Sequence, residues 1–230
     1  MEEHHGQALP GSINPVGTRK ALVFHARDLP LERAQWDAIF LAAVGSANRF
    51  GLNGVGWRGI VAVKGLRDRT AHSSGADVDY TLARVQVQDA RVDYSGNCGN
   101  MSSAIGPFAV DEGLVRTPGD GEATVRIHNT NTCKIIHSTF SVRQGRSAEA
   151  RTLAIPGVDG TGAPVRLDFI SRGAPRPETC CPRKAHTVAE VPGRNAVQAS
   201  LVDASNEYVF VSATDIGLVG TTRRTCWASA

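Results

Sequence analysis

The chain has 230 residues, 41% of them hydrophobic, and a formal net charge of +3. That length supplies one large domain or two small ones with enough apolar residues for a substantial core. The basic residues Arg67, Arg69, Arg126, Arg143, Arg146 and Arg151 are scattered, and no apolar run nears the ~18 residues that span a bilayer, so neither nucleic-acid nor membrane partners are expected.

Residues 1–16 are polar, contain Gly and Pro, and lack the charged-then-apolar plan of a signal peptide; a loose leader is expected there. The apolar run Ala21–Phe24 predicts a strand. Trp36, Ile39, Phe40 and Ala43 recur at helical spacing and predict a helix over Leu31–Ala43, stopped at Val44-Gly45-Ser46. A Gly-rich loop at 51–56 leads to a strand at Ile60–Val63, and Tyr80, Leu82, Val85 and Val87 alternate as in a half-buried strand over Asp79–Val87. A helix opening at Cys98 runs to about Glu112. Strands are predicted over Ala123–His128, Lys134–Val142 and Arg151–Ile155. The turn-dense stretch Pro156–Pro164 reads as the exit from a first domain, with strands of a second at Val165–Ile170, Ala196–Val202 and Tyr208–Ser212. Strands outnumber helices and flank one central helix, which points to an α+β fold with a sheet curled around that helix.

The five cysteines, Cys98, Cys133, Cys180, Cys181 and Cys226, are odd in number and irregularly spaced. A disulfide framework is not expected, and a reducing cytoplasm is. Adjacent Cys180 and Cys181, with His186 beyond, do not match paired zinc spacings, so no metal site is expected. No phosphate loop, dinucleotide fingerprint or Ser-His-Asp spacing is present, and the dispersed His72, His128, His137 and His186 read as structural.

The segment Asn97-Cys98-Gly99-Asn100-Met101 carries the most chemistry. A thiol has a pKa near ~8.5, and a helix N-terminus lowers it by offering N–H groups and the positive end of the dipole. A thiolate held there is a nucleophile or a proton-transferring base. The backbone at Gly99 and Asn100 can accept an anion such as a carboxylate. The alternative is a buried cysteine with a packing role, since free cysteine is among the most buried residue types.

This segment, with Asp77-Val78-Asp79-Tyr80 before it and Gly106-Pro107-Phe108-Ala109, Glu112-Gly113-Leu114-Val115 and Val125–Thr132 after it, resembles the PrpF-type isomerases. Pro156-Gly157, Gly160–Pro164, Ser200–Asp203 and Asp215–Leu218 continue the match in order. The family includes 2-methylaconitate isomerase, 3-methylitaconate isomerase and 4-oxalomesaconate tautomerase. The resemblance implies a diaminopimelate-epimerase-like fold of two lobes, each a sheet around a central helix, with the active site between them. It implies a cofactor-independent 1,3-allylic proton shift in a small unsaturated di- or tricarboxylate. Cys98 matches the family's catalytic cysteine. Thr18, Lys20, Ser46, Asn53, Gly99, Asn100 and Met101 fall at substrate-binding positions.

Several positions depart from the family pattern. Arg-Gly-Gly-Thr-Ser-Lys-Gly becomes Pro15-Val16-Gly17-Thr18-Arg19-Lys20-Ala21, and Asn53 stands where aspartate is usual. For the family's catalytic lysine two alignments compete. Counting back from Asp77 and Cys98 selects Lys64, whereas matching strand to strand selects Gly59 and leaves the lysine absent. Glu178–Lys184 replaces a Gly-Lys-Leu-Leu-Pro-Thr-Gly segment. On this reading residues 17–156 form the first lobe and 157–230 an incomplete second lobe. Val197, Leu201, Val209 and Val211 should then be poorly covered, and the exposed edge would favour a homo-oligomer. A non-catalytic remnant that binds a ligand or partner is the competing expectation.

Overall fold

In the computed structural model the described residues are 12–16, 19–45, 59–66, 75–86, 89–148, 152–157, 159–170, 186–190, 196–204 and 206–219. The chain divides into two units, Met1–Ala174 and Pro175–Ala230.

The first unit contains strands β1 (Ser12–Val16), β2 (Arg19–His25), β3 (Gly59–Gly65), β4 (Val78–Val85), β5 (Val92–Asp93), β6 (Gly121–Asn129), β7 (Lys134–Arg143), β8 (Arg146–Ser147) and β9 (Val165–Ile170), with helices α1 (Trp36–Val44) and α2 (Gly99–Asp111). Among the described residues they make one nine-stranded mixed sheet in the order β1-β2-β3-β4-β6-β7-β8, with β5 on β4 and β9 on β7. The β2–β3 and β4–β6 pairs are parallel and the rest antiparallel.

Strand alternation sorts side chains onto two faces. Val61, Val63, Val78, Tyr80, Leu82, Val125, Ile127, Ile136 and Phe140 pack against Met101, Ile105, Phe108 and Ala109 of α2. Their neighbours Ile60, Ala62, Ala83 and Val85, with Leu22 and Phe24, pack on the other face against Phe40 and Val44 of α1. The sheet curls so that β1, β2, β3, β4, β6, β7, β8 and β9 all touch α2. Helix α1 stops where Gly45 turns left-handed, at φ 68°.

The fold is α+β with a sheet around a central helix, as expected. Three boundaries differ from the sequence reading. Residues 12–16 are not a loose leader: they form β1, whose Pro15 is tolerated because β1 is the edge of the sheet and needs no amide donor on its outer side. Of the strand expected over Arg151–Ile155, the described residues 152–155 make only a bridge between Leu153 and Gly162. Val165–Ile170 belongs to the first unit, because β9 pairs with β7 over Val165–Phe140 to Ile170–Ile135.

The second unit contains β10 (Thr187–Ala189), β11 (Val197–Ala204) and β12 (Asn206–Val211), an antiparallel sheet in that order, followed by a 3₁₀ turn at Thr214–Ile216. On the edge strand β12, Val209 and Val211 are exposed, as expected. Val197 is buried and Leu201 half-buried, so the expected exposure does not extend to β11.

The β6–β7 turn contains Cys133 in the left-handed region, at φ 55°. A residue with a Cβ is strained there, and asparagine tolerates it better than cysteine. Cys133→Asn is expected to raise stability by about 0.5–1 kcal/mol. Thermal unfolding of the two proteins measures the difference, and an unchanged or lower midpoint contradicts it.

Candidate active site

Cys98 is the N-cap of α2, in extended backbone at φ −136° and ψ 109°, and is half-buried. Its carbonyl accepts the first helical hydrogen bond from the Ser102 N–H at 2.9 Å and another from Ser102 Oγ at 3.0 Å. Its thiol caps no backbone N–H. Among the described residues nothing occupies the space a Cβ would fill at Gly99. A ligand atom can approach the backbone at that point.

The cysteine is placed by a polar network beneath it. Asn97 Oδ1 accepts the Cys98 N–H at 2.8 Å, Asn129 Nδ2 at 3.1 Å and the Tyr80 hydroxyl. The Tyr80 oxygen also lies 2.9 Å from Ser102 Oγ and accepts Asn129 Nδ2 at 2.9 Å. Tyr80, Asn97, Ser102 and Asn129 are all buried. Burial, foremost, pushes the Tyr80 phenol well above its ordinary value, so it remains a neutral donor.

The β6–β7 turn ties this network to the sheet. Asn129 Oδ1 accepts the N–H groups of Asn131 at 2.8 Å and Thr132 at 3.3 Å. Asn131 bridges the backbone of Leu82, at 3.0 Å to its N–H and 2.8 Å to its carbonyl, and also donates to the Tyr94 carbonyl. Tyr94 is fixed in turn by its hydroxyl, which donates to Asp37 of α1 at 2.6 Å. The segment from Tyr94 to Cys98 is thereby held at both ends.

Tyr80→Phe is expected to destabilise the fold by about 1–3 kcal/mol, because it strips a partner from three buried polar groups while keeping the ring. Denaturant unfolding gives the value. A loss under about 0.5 kcal/mol would mean that Asn97, Ser102 and Asn129 re-pair among themselves.

The structure treats the sequence-predicted residues unequally. It brings together Cys98, Gly99 and the half-buried Asn100 at the start of α2. The Met101 side chain is 3% exposed within the α2 core. Lys20 is the second residue of β2, paired with Pro15. Thr18, Ser46 and Asn53 lie outside the described residues, as do Cys180 and Cys181.

Lys64 is not brought to Cys98. Val61 and Val63 point to α2, so by alternation Lys64 stands on the opposite face. It is also at the wrong end. Its neighbour Gly65 packs against Leu114, where a Cβ would come within 3.2 Å of the Leu114 Cβ, just beyond the C-terminus of α2. Thirteen helical residues separate the ends by about 20 Å. The other end of β3 is the one beside the start of α2: Gly59 pairs with Arg84, and Arg84 with Asp93, five residues before Cys98. The strand-to-strand alignment, which puts Gly59 at the lysine position, is the one this geometry favours.

Sequence reasoning missed Tyr80, Asn97, Asn129, Asn131 and Ser102 as a unit. The available signal was the pair of asparagines in Asn129-Thr130-Asn131-Thr132 beside a tyrosine on the apolar phase of β4.

Among the described residues no helix is long and apolar enough to cross a membrane. A family model described as PrpF protein matches residues 9–227. The 3-methylitaconate isomerase of Eubacterium barkeri is 33% identical over 93% of this chain and 56% of its own length. The 2-methyl-aconitate isomerase of Shewanella oneidensis is 33% identical over 89% of this chain and 55% of its own. The (4E)-oxalomesaconate Delta-isomerase of a Novosphingobium species is 32% identical, over 89% and 56%. A crystal structure of methylitaconate-delta-isomerase superposes with a TM-score of 0.68 at 33% identity, covering 93% of this chain and 55% of that one. The chain thus spans about half the length of the curated relatives it matches. Its α+β fold is of the diaminopimelate-epimerase-like kind, and the chain belongs to the PrpF protein family.

Proposed function

We propose that this chain carries the cysteine half of a cofactor-independent isomerase, which moves a double bond by a 1,3-allylic proton shift in a small unsaturated di- or tricarboxylate. The observation that carries the reading is Cys98 at the start of α2, with its thiol capping no backbone N–H and, among the described residues, open space beside Gly99. The names of the relatives support the substrate class: they act on methylitaconate, methyl-aconitate and oxalomesaconate.

In this reading the backbone N–H groups at the start of α2 hold a substrate carboxylate, where the helix dipole favours an anion. The Cys98 sulfur, as thiolate, takes the proton from the carbon adjacent to the double bond. The electron pair delocalises over the allylic system and its carboxylate, and the Cys98 thiol, whose proton exchanges with solvent, returns a proton to the far allylic carbon and becomes thiolate again. Atoms and charge balance without a redox partner. A general base within ~3 Å of the carbon acid, working near its own pKa, contributes about 10²–10⁴-fold.

A second reading, ligand binding without turnover, is favoured by one observation: Lys64 stands away from Cys98. Proton NMR in D₂O separates the two. Incubation with a panel of aconitates and itaconates should bleach the allylic proton signal of at least one member and produce its double-bond isomer. Binding by line broadening with no deuterium entering carbon selects the second reading.

A further inference from the structure

Beyond the C-terminus of α2, far from Cys98, lies a cavity of about 900 Å³. We infer that it is a second binding site, taking a small organic polyanion with an apolar portion. Its volume falls in the range of small-molecule sites. Val63, Leu66, Leu114 and Val115 supply apolar lining, and Arg27, Lys64 and Arg116 supply cations.

The charges decide which ligand fits. The two acids at the cavity are already engaged. Glu112 Oε2 meets His25 Nε2 at 3.0 Å, and Asp77 Oδ2 accepts the Arg126 N–H at 2.8 Å with Arg126 Nε at 3.5 Å. Arg27 faces Asp28 at 3.7 Å. Lys64 and Arg116 have no ion pair or side-chain hydrogen bond among the described residues. A hydrogen bond to His25 does not cancel the Glu112 charge, so Lys64 and Arg116 face that one carboxylate and leave an excess of one cation at the cavity among the described residues.

The helix end does not oppose an anion as strongly as a bare C-terminus would. Its last carbonyls are turned inward onto backbone donors: Gly113 N–H to Val110 at 3.0 Å, and Leu114 and Val115 N–H to Ala109 at 2.8 and 3.1 Å. A ligand with two or more carboxylates can engage Lys64 and Arg116 together and lay its carbon skeleton on Leu66 and Leu114.

The test uses citrate as probe on the full chain, followed by backbone amide NMR. Citrate is expected to shift the amides of 63–66 and 112–116. The double variant Lys64→Glu/Arg116→Glu should weaken those shifts by about tenfold in apparent Kd, since each exposed ionic contact contributes only a fraction of that. Both side chains are exposed, so the variant should fold, as unchanged amide dispersion elsewhere would verify. Val115→Trp, which fills the cavity without altering charge, should block the shifts as well. The proposal is overturned if citrate moves only residues 97–102, moves nothing, or binds equally well to both variants.

Discussion

On the proposed reading, Cys98→Ala is expected to lower carbon-proton exchange by about 10²–10⁴-fold and to leave the fold standing. The two outcomes separate because, among the described residues, the thiol has no structural hydrogen bond to lose. It caps no backbone N–H, and the fixtures around it use the Cys98 backbone, not its sulfur. The side chain is only half-buried at the edge of the α2 core, so truncating it removes little packing. Circular dichroism and the unfolding midpoint should therefore move slightly while deuterium incorporation into the itaconate or aconitate panel vanishes. Cys98→Ser tests the chemistry more narrowly. A serine hydroxyl keeps the volume but releases its proton far above working pH, so it cannot act as the base and should be nearly as inactive. Full exchange in both variants would remove Cys98 from the mechanism.

What was legible in the sequence was whatever a local pattern encodes. The Val61/Val63 and Ile60/Ala62 alternation, the Asn97–Met101 helix start, and the long β6–β7 hairpin all follow from periodicity and capping within a few residues. Long-range pairing was not legible. Nothing in Val165–Ile170 says that it lies beside β7 and not in a later unit, because a strand's partner is set by the edge left available. Ser12–Val16 was hidden by Pro15, which forbids an interior strand but not an outer edge. The same limit applied at the site. Cys98 could be singled out from its neighbours, whereas Tyr80, Asn97 and Asn129 meet only because β4 and β6 run parallel at Tyr80–Asn129. Lys64 shows the converse: it sits at a plausible spacing from Cys98, yet strand alternation sends it to the other face.

Gly106→Ala is expected to cost about 2 kcal/mol, although alanine is the better helix former by about 1 kcal/mol. At Gly106 α2 lies close against the sheet. A Cβ there would clash with Ser138 Oγ and lie 2.8 Å from Ser138 Cβ and 2.8 Å from Phe140 Cε1, all on β7. None of these can swing clear, since Ser138 and Phe140 are buried in the centre of the sheet. The helix must move outward, and it carries Cys98 at its far end. Overpacking of this kind typically costs 1–3 kcal/mol, and Gly106→Val, with two further methyl groups, should exceed it by about another 2 kcal/mol. Ser138→Ala identifies the contact. Ser138 Oγ is buried with no hydrogen-bond partner among the described residues, so its removal alone should be neutral or slightly stabilising. In the Gly106→Ala background it should return part of the loss, through a coupling of about 0.5–1.5 kcal/mol, while the Ser138 Cβ and Phe140 contacts keep recovery incomplete. Urea unfolding of the four proteins closes the cycle. If Gly106→Ala is as stable as the parent, α2 is not seated on β7 at this distance, and the placement of Cys98 over Tyr80 and Asn129 loses its support.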